Sequence, residues 1–293
     1  MADTIINSAN STAATEREII LSIVQDELLD AAMLRLTVRE FPANKGDKSV
    51  EIPKFSASFD GPAAINTDGA TTNDFQDIAF STDVITLTEH VSLPYRITDR
   101  ASTQSAVSVE AEAAKSAGRQ MGIYMDDQIL ARLREASAAA PDHRIGLSGI
   151  AAQSQAGDNA LTLEGITSAR KLLNQQNLTG DTRFLVISPD QEKELLDLDQ
   201  FRNADKYGAR EALLNGEVGR IYGFRVMVHN RVTQYEAFAY TPDAVGIAVQ
   251  KEVEMEQQRA DVRLAATDWA FRLLMGSTVL DGGKKVVWML GAA

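Results

Sequence analysis

Two runs decide how this chain is read: Phe184-Leu185-Val186-Ile187-Ser188-Pro189-Asp190-Gln191, and Leu214-Asn215-Gly216-Glu217-Val218-Gly219-Arg220-Ile221-Tyr222-Gly223-Phe224-Arg225-Val226. Arg183 to Ile187 is a short apolar strand. Ser188 then supplies an N-cap, Pro189 the first helical position, Asp190 an acid in the first turn and Gln191 the second half of a capping box. The helix so started carries Leu195, Leu196 and Leu198. In the second run a helix around Arg210 to Leu214 stops at Asn215-Gly216, and Arg220 to Val228 returns as a strand. With a further helix over Ile166 to Asn177, the pattern alternates helix and strand.

Outward from this unit the signals change. Ala136 to Asn159, rich in Ala, Ser and Gly with Pro141, reads as a loop and a domain junction. Before it, Val109, Ala113, Ala117, Met121, Met125, Ile129 and Leu133 step by four along a helix over about Val107 to Glu135. A four-residue step drifts round a helix of 3.6 residues per turn, so this stripe winds, and the rod is about 43 Å long. Its alanines, with Gly118 and Gly122, allow neighbouring elements to approach closely. Lys48 to Thr98 reads as a long two-stranded ribbon: Val50, Ile52 and Phe55 going out, then Ile78, Phe80, Val84, Ile85, Leu87, Val91 and Leu93 returning. Ala57 to Asp77, with Asp60-Gly61-Pro62 and Asp68-Gly69, forms its extended tip. Such a ribbon alone is marginally stable in water and needs a surface to lie on. At the start, Ile19, Ile20, Ile23, Val24, Leu28 and Leu29 mark an amphipathic helix of about five turns capped by Thr15. Its apolar face is buried either on its own chain or on a neighbouring subunit. After the alternating unit, Phe238 with Tyr240, Val245 to Val249, and Val253 with Met255 and Gln257 read as successive strands. Asp261 to Leu280 is a mixed stretch, and Asp281-Gly282-Gly283 turns into a closing strand at Val286 to Leu290.

Composition narrows the function. Of 293 residues, 41 are acidic and 29 are Lys or Arg, for a net charge of −12, and 44% are hydrophobic. That is ample for a packed core and argues against a protein that neutralises phosphates over a basic face. The absence of cysteine removes disulfides, thiolate metal sites and thiol nucleophiles. The polar start lacks the pattern of a signal peptide, and no apolar run reaches membrane-spanning length, so a soluble cytosolic protein without a membrane partner is expected. His90, His143 and His229 fall in separate segments without metal spacing and read as surface or half-buried residues. Gly146-Leu147-Ser148-Gly149 lacks the last glycine of a nucleophile elbow, since position 150 is Ile. Gly282-Gly283-Lys284-Lys285 is no P-loop: Thr278 stands where its first glycine belongs, and Lys285 where Ser or Thr must bind magnesium. Asp126-Asp127, pointing about 100° apart on a helix, reads as a solvated face. No catalytic residue, metal site or cofactor is expected, and the chain reads as selected for shape.

In its order of parts (helical arm, long ribbon, spine helix, α/β insert, β-rich return) the chain resembles the major capsid proteins of tailed bacteriophages, with their α+β Hong Kong 97-like fold. The strand-Ser-Pro-helix run and the Asn-Gly-x-Val-Gly-x-Ile-x-Gly-Phe-x-Val run at 215–226 carry the likeness. The resemblance implies an N-terminal arm over residues 1–40, an E-loop over 41–98 lying on an adjacent subunit, and a P-domain spine helix over 99–140. It further implies an A-domain over 141–235, pointing at the capsomer centre, and a P-domain β-rich return over 236–293. Candidate subunit contacts are Ile19, Ile23 and Leu28 on the arm, and Val50, Ile52, Phe55, Phe80 and Val84 on the ribbon, with Asp68 and Gly69 at its tip. The implied function is a structural subunit of an icosahedral head, self-assembling into hexamers and pentamers around double-stranded DNA that it does not bind sequence-specifically. It would be made and assembled in the bacterial cytoplasm and end in the virion.

Some relatives join a ribbon Lys to a P-domain Asn. Lys45, Lys48 and Lys54 are available here, but no Asn follows Asn230, so no cross-link is expected. The short start leaves no room for a fused scaffold, so a separate scaffolding protein and a portal are the implied partners. The negative charge suits a container for DNA, repelling phosphates mildly within a screening length of about 8 Å. An encapsulin-type cargo shell of the same fold, an α/β enzyme with an unrecognised site and a small binding module are the alternatives.

Overall fold

The computed structural model describes residues 4–56, 79–105, 108–147, 160–176, 182–197, 219–260 and 265–291; at 4–17, 55–56, 79–80 and 141 it describes the backbone alone. The ribbon tip with Asp68 and Gly69, Ser148-Gly149, and the helix and turn expected over 210–216 lie outside the described residues.

The arm helix α1 runs Thr4–Ala31 and so does not begin at Thr15. No Pro or Gly interrupts the stretch from Thr4 to Thr15, and once nucleated a helix gains a hydrogen bond for every residue added. β1 (Arg39–Pro42), β2 (Ser49–Ser56), β3 (Ala79–Thr86) and β4 (Glu89–Thr98) follow. β2 and β3 pair antiparallel from Ser49↔Thr86 to Ser56↔Ala79 and form a sheet of their own. Val91 and Leu93, expected on the ribbon, instead stand on β4, which belongs to another sheet.

After a short helix, α2 (Asp99–Gln104), comes the spine α3, Val109–Ala139, capped by Ser108 accepting from Ala111 N at 3.3 Å. Its 31 residues correspond to about 46 Å of helix. It ends later than the composition suggested, because Ser137-Ala138-Ala139 continues the helix and only the approach to Pro141 stops it. The expected loop after it also contains β5 (Arg144–Gly146). The winding stripe is buried in two places. Ala114, Ala117, Met121 and Met125 pack with Val24, Leu28, Phe271 and Met275. Ile129, Leu130 and Leu133 pack with Leu34, Phe238 and Tyr240. The α1–α3 crossing depends on two glycines: a Cβ at Gly118 would lie 2.6 Å from the Val24 carbonyl oxygen, and one at Gly122 would lie 2.6 Å from Ala31 Cβ.

The insert is built from α4 (Leu163–Gln175), β6 (Arg183–Ile187), α5 (Pro189–Asp197), β7 (Arg220–Ile221) and β8 (Phe224–Val228). The capping box forms as the sequence requires: Gln191 N donates to Ser188 Oγ at 3.3 Å, and Ser188 N to Gln191 Oε1 at 3.1 Å. β9 (Glu236–Tyr240) precedes the two longest strands, β10 (Val245–Arg259) and β11 (Ala266–Val279), and β12 (Val286–Leu290) closes the chain. Val253, Met255 and Gln257 are not a separate strand: β10 is continuous over 15 residues. Register shifts against β11 between Val249 and Lys251, and between Lys251 and Glu254, break the alternation that a regular strand would show.

One sheet has the order β1-β10-β11-β4, and α1 and α3 cover one of its faces. The other has the order β5-β12-β9-β6-β8-β7. β6 is buried on both faces: Leu185 and Ile187 meet Ile166 of α4 and Leu195 of α5, while Phe184 and Val186 meet the spine cluster. β9 and β12 therefore join the insert's sheet although they come from the stretch after residue 235.

Candidate functional site

The tightest polar constellation sits where arm, spine and insert meet, and it overturns the solvated reading for Asp126, while Asp127 keeps a third of its side chain exposed. Asp126 is fully buried. Its carboxylate accepts from Met33 N at 3.1 Å, Leu34 N at 3.0 Å and His229 Nε2 at 2.9 Å. His229, only 8% exposed, is neither a surface nor a half-buried residue; its Nδ1 accepts from Arg231 N at 3.2 Å, which leaves Nε2 as the donor to Asp126. Asp127, one residue on and turned away, receives the Arg231 guanidinium at 2.8 and 2.6 Å. The two carboxylates do not converge; each holds a different part of the turn after β8. His143 is likewise buried, with Nδ1 3.1 Å from the Val286 carbonyl. Nearby, the Tyr240 and Thr37 hydroxyls lie 2.6 Å apart, and burial raises the Tyr240 phenol far above its ordinary range. Asp126 and His229 are thus held by partners from arm, spine and insert, and the constellation works as a structural clasp.

The arm and ribbon residues singled out in the sequence divide into three kinds. Leu28 is 2% exposed against the spine, so its contact is intramolecular and leaves no side-chain surface for a neighbour. Ile23 is half-buried, while Ile19 stays 55% exposed. Both line an open groove between α1 and the far end of the four-stranded sheet, opposite Ile97 and Trp269. On the ribbon, Val50 and Ile52 pack towards Ile85, Leu87 and Ala248 at its base, whereas Val84 is 41% exposed. Phe55 and Phe80 are register partners; their side chains, with Asp68 and Gly69, lie outside the described residues.

The ribbon base is tied down by charge. Lys54 bridges Asp83 on the paired strand and Asp281, 3.1 Å away, in the turn before β12. Burial alone would raise the Asp281 carboxyl, but Lys285 and Lys54 outweigh it and hold the group below the ordinary aspartate range. Leu29, which the periodicity places on the arm's apolar face, is 54% exposed, and Met33 and Leu36, which the sequence did not single out, are 42% and 81% exposed, all within eight residues at the end of the arm. The only signal for the last two was that three large apolar residues cluster where a helix ends.

Among the described residues no group of three or more His, Asp or Glu is placed to hold a metal, and no helix is long and apolar enough to cross a membrane. What the surface offers is a two-stranded ribbon with Val84 exposed, and apolar side chains on the arm. The chain's fold matches solved structures of phage capsids and of a virus-like particle. The fold matches the capsid of cyanophage P-SCSP1u with a TM-score of 0.70 at 19% identity, covering 89% of this chain and 88% of that one. It matches the capsid of Ralstonia phage GP4 at 0.67 and 12%, covering 88% of each chain. It also matches the virus-like particle from Pyrococcus furiosus at 0.59 and 11%, covering 94% and 99%. No curated protein matches the sequence. Residues 82–289, which run from the returning ribbon strand through the spine and both sheets to β12, match the sequence profile of phage capsid proteins. With that sequence match on a Hong Kong 97-like fold, the chain belongs to the phage capsid protein family and is a structural subunit of a phage head.

Proposed function

We propose that the subunit forms hexamers and pentamers that close into an icosahedral head around double-stranded DNA, and that it carries no catalytic activity. The observation behind this reading is the ribbon. Its base is packed and ion-paired, but its paired strands form a sheet of two that leaves Val84 exposed. A two-stranded sheet gains stability from a further layer, and in a shell another copy supplies it.

On this reading residues 1–40 are the N-terminal arm, 41–98 the E-loop, 99–140 the spine of the P-domain, 141–235 the A-domain at the capsomer centre, and 236–293 the rest of the P-domain, with β4 of the second stretch pairing in the four-stranded sheet and β9 and β12 of the last completing the A-domain's sheet. Ile19, Ile23, Val50, Ile52, Phe55, Phe80 and Val84, with Asp68 and Gly69, contribute to contacts between copies. A separate scaffolding protein and a portal assist assembly in the bacterial cytoplasm. The charge of −12 keeps the wall from gripping the enclosed DNA. No isopeptide bond joins the subunits, because no Asn follows Asn230 and Lys54 is engaged by Asp83 and Asp281.

Electron microscopy and sedimentation of the protein coexpressed with the other head proteins of its phage test the reading. Uniform closed particles are expected, running as single-length chains on a denaturing gel. A persistent monomer would contradict the assembly, and a ladder of covalent oligomers would contradict the absence of cross-links.

A further inference from the structure

Strands at a sheet edge leave N–H and C=O groups unpaired, and such edges are closed by keeping the strand short or by a proline whose missing N–H faces outward. Among the described residues, the six-stranded sheet ends in β5 and β7, of three and two residues, and the four-stranded sheet ends in β1, of four residues, and in β4. β4 is long but carries Pro94 opposite Ala270. Asp99 N donates to Ala265 O at 2.8 Å, and such bonds recur at every second residue of an antiparallel strand, so the nitrogen of Pro94 points away from β11. The ribbon strand β2 is closed in the same way. Leu87 N donates to Lys48 O at 3.1 Å, which leaves Pro53, opposite Thr82, with its nitrogen outward. β3 has neither device. It runs eight residues without a proline, and the same alternation turns the N–H and C=O of residues 80, 82 and 84 outward. Those of Thr82 and Val84 have no partner among the described residues, and both residues are exposed. At the next outward position the edge is filled: a Cβ at Gly276 would lie 2.3 Å from the Thr86 carbonyl oxygen.

The open stretch is complementary to itself. A second β3, antiparallel and centred on Thr82, joins position 80 to 84, 82 to 82 and 84 to 80, so every free outward position is used. Threonine then stands opposite threonine, and residue 80, a phenylalanine, opposite Val84; both are favourable cross-strand combinations. On the other face Ser81 meets Asp83. Moving the centre to Asp83 would oppose two carboxylates, which is unfavourable, and moving it to Ser81 would pair Val84 beyond the start of β3. The sheet so formed, β2-β3-β3-β2, ends on both sides at an edge broken by Pro53. Pairing therefore stops at two copies, as a two-fold contact requires.

We propose that β3 of one copy pairs with β3 of a second about a two-fold axis at Thr82, making one sheet from two ribbons. This deepens the reading of the ribbon as a contact between copies and rests on it. The test uses the full chain coexpressed with its head proteins. The chain has no cysteine, so Thr82→Cys introduces a single thiol. Cα atoms of a hydrogen-bonded antiparallel pair stand about 5.5 Å apart, within disulfide range. Mild oxidation of assembled T82C is expected to give a dimer on a non-reducing denaturing gel. Glu51→Cys, exposed on the same face of the ribbon but at the β2 edge, is expected to stay monomeric. Prolines supply the second arm. Thr82 and Glu51 both point their N–H outward, so Thr82→Pro and Glu51→Pro spare the ribbon's own ladder. T82P removes the bond that each copy donates at the centre of the contact and is expected to lower assembled mass about tenfold; E51P should assemble like wild type. Thermal melts of the two proline subunits should agree, and should T82P fold poorly, T82C carries the test alone. Particles in which T82C stays monomeric, or T82P particles at wild-type yield, overturn the pairing and leave the shell reading intact. Dimers from E51C, with E51P failing to assemble, overturn the choice of edge. A wild-type chain that never assembles overturns both readings.

Discussion

The spine and the ribbon solve the burial problem in opposite ways. α3 is enclosed by α1, by the four-stranded sheet and by Phe238 and Tyr240 of β9, and its one buried carboxylate has three hydrogen-bond donors. β2 and β3 share a ladder only with each other, held at their base by Ile85, Leu87 and the Lys54–Asp281 pair. On the proposed reading, a subunit built this way has one region that is finished when the chain folds and another that is finished when copies meet. Substitutions in the first are expected to act on stability, and substitutions in the second on assembly.

The sharpest way to break this contrast is Asp126→Ala. It leaves two backbone N–H groups and His229 without their acceptor at a buried position, and a loss of about 3–5 kcal/mol is expected in urea denaturation of the subunit. A loss below about 1 kcal/mol would mean that the clasp does not join arm, spine and insert. Next is Gly122→Val, which drives a side chain into Ala31 and the Leu28 carbonyl. A cost of about 1–3 kcal/mol is expected, with the arm helix loosening first, read as new proteolytic cleavage within residues 18–31.

Smaller and confined to the core is an alkaline effect. Burial pushes the Tyr124 phenol up to about 12, helped by Glu89, and the Tyr95 phenol up to about 12, helped by the charge of Glu110. A raised folded value means the unfolded chain ionises first. The associated stability is complete below pH 10 and is lost as pH rises from 10 towards 12. Melting temperature measured against pH should fall across that window, and should fall less in Tyr124→Phe. The ribbon strands carry no tyrosine, so their exchange rates should not track the transition. The smallest expected effect is Val84→Ser. Subunit stability should stay within about 0.5 kcal/mol, while the yield of closed particles drops. A variant that melts earlier and assembles normally would reverse the roles given to the two regions.

What could be read from the chain was local. Ser188 and Gln191 are three residues apart and close their capping box as the sequence requires. The winding stripe from Ala113 to Leu133 follows from helical geometry alone, as do the close approaches at Gly118 and Gly122. The clasp could not be read, because Asp126 meets Leu34 and His229 across 92 and 103 residues of chain, and nothing local marks an acid as buried. The continuity of β10 was hidden by its two register shifts, which disrupt alternation while the ladder persists. Leu36, 81% exposed, belongs to no periodic pattern. Apolarity within the arm cannot distinguish Leu28, buried on its own spine, from Ile19, left open nine residues earlier.

The central claim is that the ribbon's burial is completed by another copy. Hydrogen exchange of free subunits against closed particles tests it directly. Amides of Ser49–Ser56 and Ala79–Thr86 are predicted to exchange rapidly in the subunit and to slow by about a hundredfold or more in the particle, while those of α3 change little. Ribbon amides as protected in the free subunit as the spine, or unchanged on assembly, would contradict it.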